Sequence, residues 1–322
     1  MRKLWLTVIA ALMVFAIAAC GGKSSSLEKV TLVLDWYPNA DHAGIFAAKY
    51  KGYFTDEGLD VTIQTPSDPT DIPKLVATGK ADAGIYYQPD VLLARTAGLQ
   101  IKAIASIVPV PLNSMQTLKS SGITSPAQLA GKTVGTPGIE ADSIYLKTML
   151  KKAGVDPASV NEVNVGFDLL PALLGEKVAA TIGAYWNVEA VSSEMQGKPV
   201  NVIQLADWGV PTYNELVLVA SDDSVKGKRD MLTRLVRAIV KGHQYAVDDP
   251  SEAVDFLVKE SPDVERELAQ RGVELLVKVW KATPAGRMDA KVWSDFAAFM
   301  YDNKLIEKQI NATDAYTNDF VP

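Results

Sequence analysis

The sequence predicts an α/β protein of two lobes that hold a ligand cleft between them. Apolar strands alternate with amphipathic helices along most of the 322 residues, enough chain for two domains. Two segments with the same helix–turn–strand pattern begin at Pro73 ("PKLVATGKADAGIYY") and Pro171 ("PALLGEKVAATIGAY"), which favours two lobes of similar design. Aromatic and polar side chains follow several strands directly, where open α/β sheets bind ligands.

The N-terminus predicts export and a lipid anchor. A basic start and an apolar run from Leu4 to Ala19, too short for a comfortable membrane span, indicate a signal peptide over residues 1–19. Small residues before Cys20 resemble a lipobox, which implies lipidation of that thiol; the alternative is an ordinary signal peptide with an incidental cysteine. Residues 20–26 then form a flexible tether. We expect a protein of the cell envelope, either anchored to the outer face of the cytoplasmic membrane or periplasmic.

Composition excludes several classes of function. The chain is 48% hydrophobic and 22% charged, with a net charge of −6 and no basic stripe, so a nucleic-acid partner is not expected. Cys20 is the single cysteine, which excludes an intramolecular disulfide and a cysteine metal cluster. We therefore expect no metal and no cofactor.

The elements follow in order. In the first part of the chain, apolar runs predict strands at 30–36, 59–65, 81–88 and 101–110, with helices at 43–54, 71–79 and 90–98. The alternation of strands and helices is interrupted at 111–123, and a new βα unit begins at 125–138. It is followed by a predicted helix at 142–154 and predicted strands at 160–165, 180–186, 200–206 and 213–221. The C-terminal part is mostly helical, at 228–247, 251–260, 264–281 and 290–303.

This order predicts where the chain passes between lobes. Lobe 1 comprises residues 27–113 and 219–322, and lobe 2 comprises residues 114–218. The hinges are expected at 112–117 and 215–219.

The strand ends carry the candidate site residues. Rings supply flat walls for a planar ligand, and a few amides and carboxylates fix its orientation, which suits a small, flat, nitrogen-rich ring. The predicted ligand-binding residues are Trp36, Tyr37, Asn39, His42, Tyr86, Tyr87, Tyr185, Trp186, Asn187, Glu189, Tyr213 and Glu215.

Each of these residues has a structural alternative. Trp36 could close the core, His42 could cap the following helix, and Glu189 could be a solvated residue at a helix start. Tyr86 and Tyr87 are adjacent on a strand and point to opposite faces, so one of them belongs to the core. The loop "TVGTPG" could bind an anion but lacks the lysine of a phosphate-binding loop.

Five motifs between Val30 and Ser221 resemble one known family. They are "LDWYPNADHAGIFAAKYKGYFTDEGLDV", "GKADAGIYYQPDVLLAR", "LAGKTVGTPG", "ATIGAYWNVEA" and "GVPTYNELVLVAS". They resemble periplasmic binding proteins for thiamine pyrimidine precursors and the related fungal thiamine pyrimidine synthase; sulfonate, taurine and nitrate binders belong to the wider family. The resemblance implies a periplasmic binding protein fold of type II, a Venus flytrap that delivers its ligand to an ABC permease and its ATPase, as a monomer.

The resemblance also implies roles for individual residues. Trp36 and Tyr37 would stack on the pyrimidine ring or contact its edge, and Tyr86 or Tyr87 would form another wall of the site. Asn39 would hydrogen-bond a ring nitrogen or its amino group, and Glu189 would accept from the exocyclic amine. His42 stands where the synthase has a histidine that it consumes.

These implications predict a binding protein rather than an enzyme. The expected ligand is hydroxymethylpyrimidine or formylaminopyrimidine; the alternatives are riboflavin or another flat heterocycle, then a sulfonate such as taurine. Glu189 and Glu215 would repel an anion. A pyrimidine synthase is the remote alternative, because the cysteine-rich iron site of that enzyme has no counterpart in this sequence.

Overall fold

The computed structural model describes residues 26–322, and it confirms the predicted α/β class. The signal peptide and Cys20 lie outside this range, as does most of the tether. Within it, no helix is long and apolar enough to cross a membrane.

Ten strands form two five-stranded sheets. In chain order the strands are β1 (Glu28–Val33), β2 (Leu59–Gln64), β3 (Ala83–Tyr86), β4 (Ile101–Val108), β5 (Asn113–Leu118), β6 (Thr133–Thr136), β7 (Asn161–Asn164), β8 (Ala180–Tyr185), β9 (Val200–Gln204) and β10 (Leu216–Ser221).

Thirteen α-helices accompany the described strands. They are α1 (Ala43–Tyr50), α2 (Tyr53–Asp56), α3 (Ile72–Ala77), α4 (Gln88–Thr96), α5 (Glu140–Lys152), α6 (Leu169–Leu174), α7 (Glu189–Met195), α8 (Asp222–Gly227), α9 (Arg229–Asp248), α10 (Pro250–Glu260), α11 (Arg266–Ala282), α12 (Ala290–Asp302) and α13 (Ala312–Ala315). The helix predicted at 43–54 is two helices, because Gly52 adopts a left-handed conformation with φ of 77° that interrupts the first. Asp249 separates α9 from α10. Its side chain caps α10 by accepting a hydrogen bond from the Glu252 N–H, and Pro250 is the first residue of that helix.

The two sheets have the same design. The first sheet has the order β2-β1-β3-β10-β4 and the second β7-β6-β8-β5-β9. In each sheet, the first three strands of this order pair in parallel. The fourth strand pairs antiparallel with both of its neighbours and comes from a distant part of the chain; it is β10 in the first sheet and β5 in the second. Because both sheets place the ends of β1, β3, β6 and β8 at the inner edges, the two lobes present their strand ends to each other.

The chain crosses between the sheets twice, from β4 to β5 and from β9 to β10. A lobe boundary at 218/219 would divide β10, and a hinge at 112–117 would lie mostly inside β5. We therefore propose that the lobes meet in the connecting segments 109–112 and 205–215.

Candidate functional site

A cavity lies between the two lobes. Both lobes contribute to its wall, which is made largely of aromatic rings and carboxylates. The lining residues are Asp35, Trp36, Asn39, Tyr87, Asp90, Asn113, Pro137, Ile139, Ala141, Asp142, Tyr145, Leu169, Gly183, Tyr185, Val188, Glu189 and Glu215. Within the described part of the chain, no lysine or arginine lines this cavity.

The end of β1 supplies Asp35, which is held by two buried donors. The Nε2 atom of His42 lies 2.8 Å from the Asp35 carboxylate, and the Tyr87 hydroxyl donates to its other oxygen at 3.1 Å. The Asn39 backbone N–H donates to Nδ1 of His42 at 3.2 Å, which identifies Nε2 as the protonated nitrogen and the donor to Asp35. His42 is fully buried and acts through Asp35 rather than on the cavity.

Asn39 lines the cavity with its amide already engaged. Its Oδ1 accepts from the Asp41 N–H at 2.8 Å, which caps a short 3₁₀ turn, and its Nδ2 donates to the Tyr37 carbonyl at 3.2 Å. The predicted hydrogen bond from Asn39 to a ligand therefore competes with the cap of this turn.

Glu215 lies at the back of the cavity, and its carboxylate accepts hydrogen bonds from four donors. One carboxylate oxygen accepts from the Leu112 and Asn113 N–H groups, both at 2.7 Å, and from the Tyr213 hydroxyl at 3.1 Å. The other accepts from the Tyr185 hydroxyl at 3.3 Å. Desolvation outweighs these hydrogen bonds and raises the pKa of Glu215 to about 7.

Glu189 lies at the start of α7, and one of its carboxylate oxygens is committed to a backbone N–H. Its Oε2 accepts from the Tyr185 N–H at 2.7 Å, and burial raises its pKa to about 7. This side chain remains partly exposed in the cavity wall, so its second oxygen can accept from a ligand.

Asp90 and Asp142 form an acidic end of the cavity. They lie in the first turns of α4 and α5, on opposite lobes. Asn113 Nδ2 donates to Asp142, and the Ala141 N–H donates to Asp90 at 3.4 Å across the lobe boundary. Desolvation raises the pKa of Asp142 to about 8 and that of Asp90 well above its usual range.

Three aromatic rings close the mouth. Phe167, from the β7–α6 loop of the second lobe, contacts the Trp36 ring at 4.2 Å and the Tyr37 ring at 4.4 Å between centroids. Contacts of this kind favour closure of one lobe on the other.

Six of the twelve predicted ligand-binding residues line the cavity: Trp36, Asn39, Tyr87, Tyr185, Glu189 and Glu215. Of the adjacent tyrosines, Tyr87 lines the cavity and Tyr86 is buried beside it, with the two ring centroids 5.3 Å apart, because Tyr87 lies past the end of β3 and precedes α4.

The other five, beyond Tyr86, lie outside the cavity wall for local reasons. Tyr37 is 54% exposed at the mouth, and His42 supports Asp35. The Trp186 indole donates to the Pro111 carbonyl at 3.0 Å, and Tyr213 stacks on Tyr145 behind Glu215. Asn187 donates to Asp41 of the other lobe at 2.7 Å, so its amide joins the lobes instead of facing the cavity.

The sequence reasoning missed residues in the first two turns of the helices that follow the strand ends. Asp90, Asp142 and Tyr145 belong to the helices that follow "GIYYQ" and "TVGTPG". Reading the first two turns of each following helix would have found all three, because helix N-termini point at the same edge as the strand ends. Among the described residues, no group of three or more His, Cys, Asp or Glu side chains is arranged to hold a metal ion.

Comparison with known proteins identifies relatives over most of the chain. The sequence model of a family described as NMT1/THI5 like matches residues 39–253. A formylaminopyrimidine-binding protein of Halalkalibacterium halodurans is 35% identical over 95% of this chain and 96% of its own length. A 4-amino-5-hydroxymethyl-2-methylpyrimidine phosphate synthase of Saccharomyces cerevisiae is 28% identical over 76% of this chain and 75% of its own.

The fold is also found among solved structures. The alkanesulfonate-binding protein SsuA from Xanthomonas axonopodis pv. citri, solved with MOPS, superimposes with a TM-score of 0.70 over 90% of this chain and 98% of its own, at 13% identity. This confirms the predicted periplasmic binding protein fold, and at that identity it shows the fold alone.

Proposed function

Because this chain belongs to the NMT1/THI5-like family, we propose that it is the substrate-binding protein of an ABC importer and captures a thiamine pyrimidine precursor, either hydroxymethylpyrimidine or formylaminopyrimidine. The observation that supports the proposal most directly is the composition of the cavity wall. Aromatic rings and carboxylates line it, and among the described residues no lysine or arginine does. A 4-aminopyrimidine is flat and presents N–H donors, which match this wall. The 35% identity to a formylaminopyrimidine-binding protein supports the same ligand class.

The proposed mechanism is capture by closure. Trp36 offers a ring face to the pyrimidine, and Glu189 accepts from its exocyclic amine. The ligand contacts residues of both lobes at once, so it binds the closed state more tightly than the open one and shifts the population toward closure. The partners are then a permease and its ATPase, with the N-terminal lipid at Cys20 keeping the protein at the membrane surface.

Two other ligand classes are less well supported by this wall. A sulfonate needs an arginine or a set of N–H donors, whereas this cavity offers carboxylates. Riboflavin also fits aromatic walls, so the binding experiment includes it.

The synthase alternative has support from the yeast relative's name and from His42. In this chain both ring nitrogens of His42 are engaged and the residue is fully buried outside the cavity wall, which favours a supporting role. His42→Asn should therefore weaken ligand binding through Asp35 and leave a measurable affinity.

Tryptophan fluorescence of the purified full chain tests the proposal, with hydroxymethylpyrimidine, formylaminopyrimidine, riboflavin and taurine as titrants. We expect saturable quenching by a pyrimidine, reduced in Trp36→Phe. Glu189→Gln should weaken pyrimidine binding about tenfold or more, since a charge-assisted hydrogen bond contributes about 1.5–3 kcal/mol. Glu194→Gln, on the exposed side of the same helix, is the matched control. Quenching by riboflavin or taurine alone would contradict the pyrimidine assignment.

A further inference from the structure

A second pocket is lined by the end of β4, the C-terminal half of α9, and the end of α11 with the loop that follows it. It shares no lining residue with the cavity between the lobes. Its wall is mostly aliphatic and includes the Trp280 ring, and among the described residues no aspartate, glutamate, lysine or arginine lines it. A charged ligand would lose its hydration there without gaining a counter-charge, so the wall favours an uncharged and largely apolar molecule.

One residue of this wall has a buried polar atom without a hydrogen-bond partner. The atom is Nε2 of His243, a residue that is 7% exposed. Nδ1 of the same ring lies 3.0 Å from the Ile239 carbonyl oxygen, which can only accept, so Nδ1 carries the proton. Burial lowers the pKa of His243 to about 4, which keeps the ring neutral at pH 7. Nε2 is therefore an acceptor that an N–H or O–H group can satisfy.

The other polar side chains of the wall already donate to oxygens of the protein. They are Ser106, Gln244, Trp280 and Thr283, which donate to oxygens of Asn214, Asp248, Ile107 and Val279 at 2.8, 3.0, 3.0 and 3.4 Å respectively. The His243 ring is also held in place. It meets Trp280 edge to face with centroids 5.3 Å apart, and it packs so closely on Gly44 of α1 that a Cβ there would lie 2.7 Å from its Cγ and Cδ2. A buried acceptor without a donor is costly, so a donor group supplied from the pocket would stabilise this arrangement.

We propose that this pocket is a second small-molecule site, which takes a neutral, largely apolar compound whose O–H or N–H group donates to Nε2 of His243. The apolar body of the compound packs against Trp280 and the aliphatic wall, and the single hydrogen bond orients it. This site is independent of the proposed pyrimidine capture, because the two cavities have no residue in common.

Nitrogen-15 NMR of the full chain, with labelled histidine, tests the proposal. The chain has two histidines, and His42 reports on the cavity between the lobes through Asp35. The probes are phenol, which has one O–H donor on an apolar ring, toluene, which lacks the donor, and benzoate, which is charged. Phenol should move the Nε2 resonance of His243 upfield, as acceptance of a hydrogen bond does, and benzoate should leave it in place. Phenol should also bind about two- to twelvefold more tightly than toluene, which is the contribution expected of one neutral hydrogen bond.

Two variants isolate the acceptor. His243→Phe keeps a ring against Trp280 and removes Nε2, so calorimetry should show that phenol no longer binds more tightly than toluene. Gln244→Leu is the matched control, because it removes a polar group of the same wall that Asp248 already satisfies, and the preference for phenol should persist. Thermal melting confirms that each variant is folded, and the NMR experiment uses the unaltered chain.

Three results would overturn this second site. They are an unmoved His243 resonance at the highest soluble phenol concentration, a response confined to His42, and a preference for phenol that survives His243→Phe. Each of them would leave the pyrimidine assignment standing, since that assignment concerns the cavity between the lobes.

Discussion

The hydrogen bond between Asn187 and Asp41 joins the two lobes in a fully buried position, and its removal is expected to open the protein. Asn187 Nδ2 donates to Asp41 Oδ1 at 2.7 Å, and both residues are 0% exposed. The remaining oxygens of the pair, Asp41 Oδ2 and Asn187 Oδ1, have no other partner. Desolvation raises the pKa of Asp41 well above its usual range.

Asn187→Ala would leave the Asp41 carboxyl buried and unpaired in the closed state, whereas in the open state water could solvate it. The cost of an unsatisfied buried polar group is about 1–3 kcal/mol, which would shift the equilibrium toward the open form by roughly 5- to 150-fold. If the closed form is the one that holds ligand, the apparent Kd rises by a similar factor when the open form dominates.

Calorimetry gives the Kd, and small-angle X-ray scattering gives the radius of gyration with and without ligand. Asp41→Asn is the matched control, because an amide oxygen at position 41 can still accept the hydrogen bond from Asn187 Nδ2, and we expect its Kd to stay within threefold of the parent chain. An unchanged Kd in Asn187→Ala together with a lowered melting temperature would refute the reasoning, since the bond would then stabilise the fold and not the closure.

Three further predictions follow from the same contacts. Gly272→Ala on α11 would place a methyl group 2.7 Å from Ala40 Cβ and 2.9 Å from the backbone carbonyl oxygen of Asn187 in the other lobe, so we expect weaker ligand binding and a larger radius of gyration, and normal binding would contradict this. Burial raises the pKa of Asp142 to about 8 and that of Glu215 to about 7, so above pH 4.5 the native state binds more protons than the unfolded chain. The free energy of unfolding, measured with urea, should therefore fall from pH 5 to pH 8.5 by on the order of 3 kcal/mol per group. A rise over this range would contradict the prediction. Phe167→Ala removes the ring contacts at the mouth, worth about 0.5–1.5 kcal/mol each beyond their area, and stopped-flow fluorescence should show faster ligand release, with an unchanged rate as the refuting result.

Local pattern was sufficient for most of the secondary structure. The four long C-terminal helices α9 to α12 were predicted within a few residues, because capping residues and apolar periodicity are local signals. The helix predicted at 43–54 was wrong in one respect, since Gly52 takes a left-handed conformation that divides it into α1 and α2.

The candidate site was predictable as a region, but the role of each side chain was not. Strand ends located Trp36, Glu189 and Glu215 correctly in the cavity wall. His42 belongs to the same motif as Trp36, and Asn187 to the same motif as Glu189, yet their side chains bind Asp35 and Asp41. Asp41 belongs to the opposite lobe from Asn187, so the direction of the Asn187 side chain depends on how the two lobes pack together.

By itself, the sequence determined the α/β class, the two-lobe organisation and the family, because periodicity and motifs are properties of the chain. Only the tertiary structure decided which polar groups meet. Asp90 and Asp142 are 52 residues apart in the sequence and belong to different lobes. They line one cavity because the chain crosses between the two sheets, from β4 to β5 and from β9 to β10. The energetics of the site depend on burial and on the nearest charges, both of which arise when the lobes pack together.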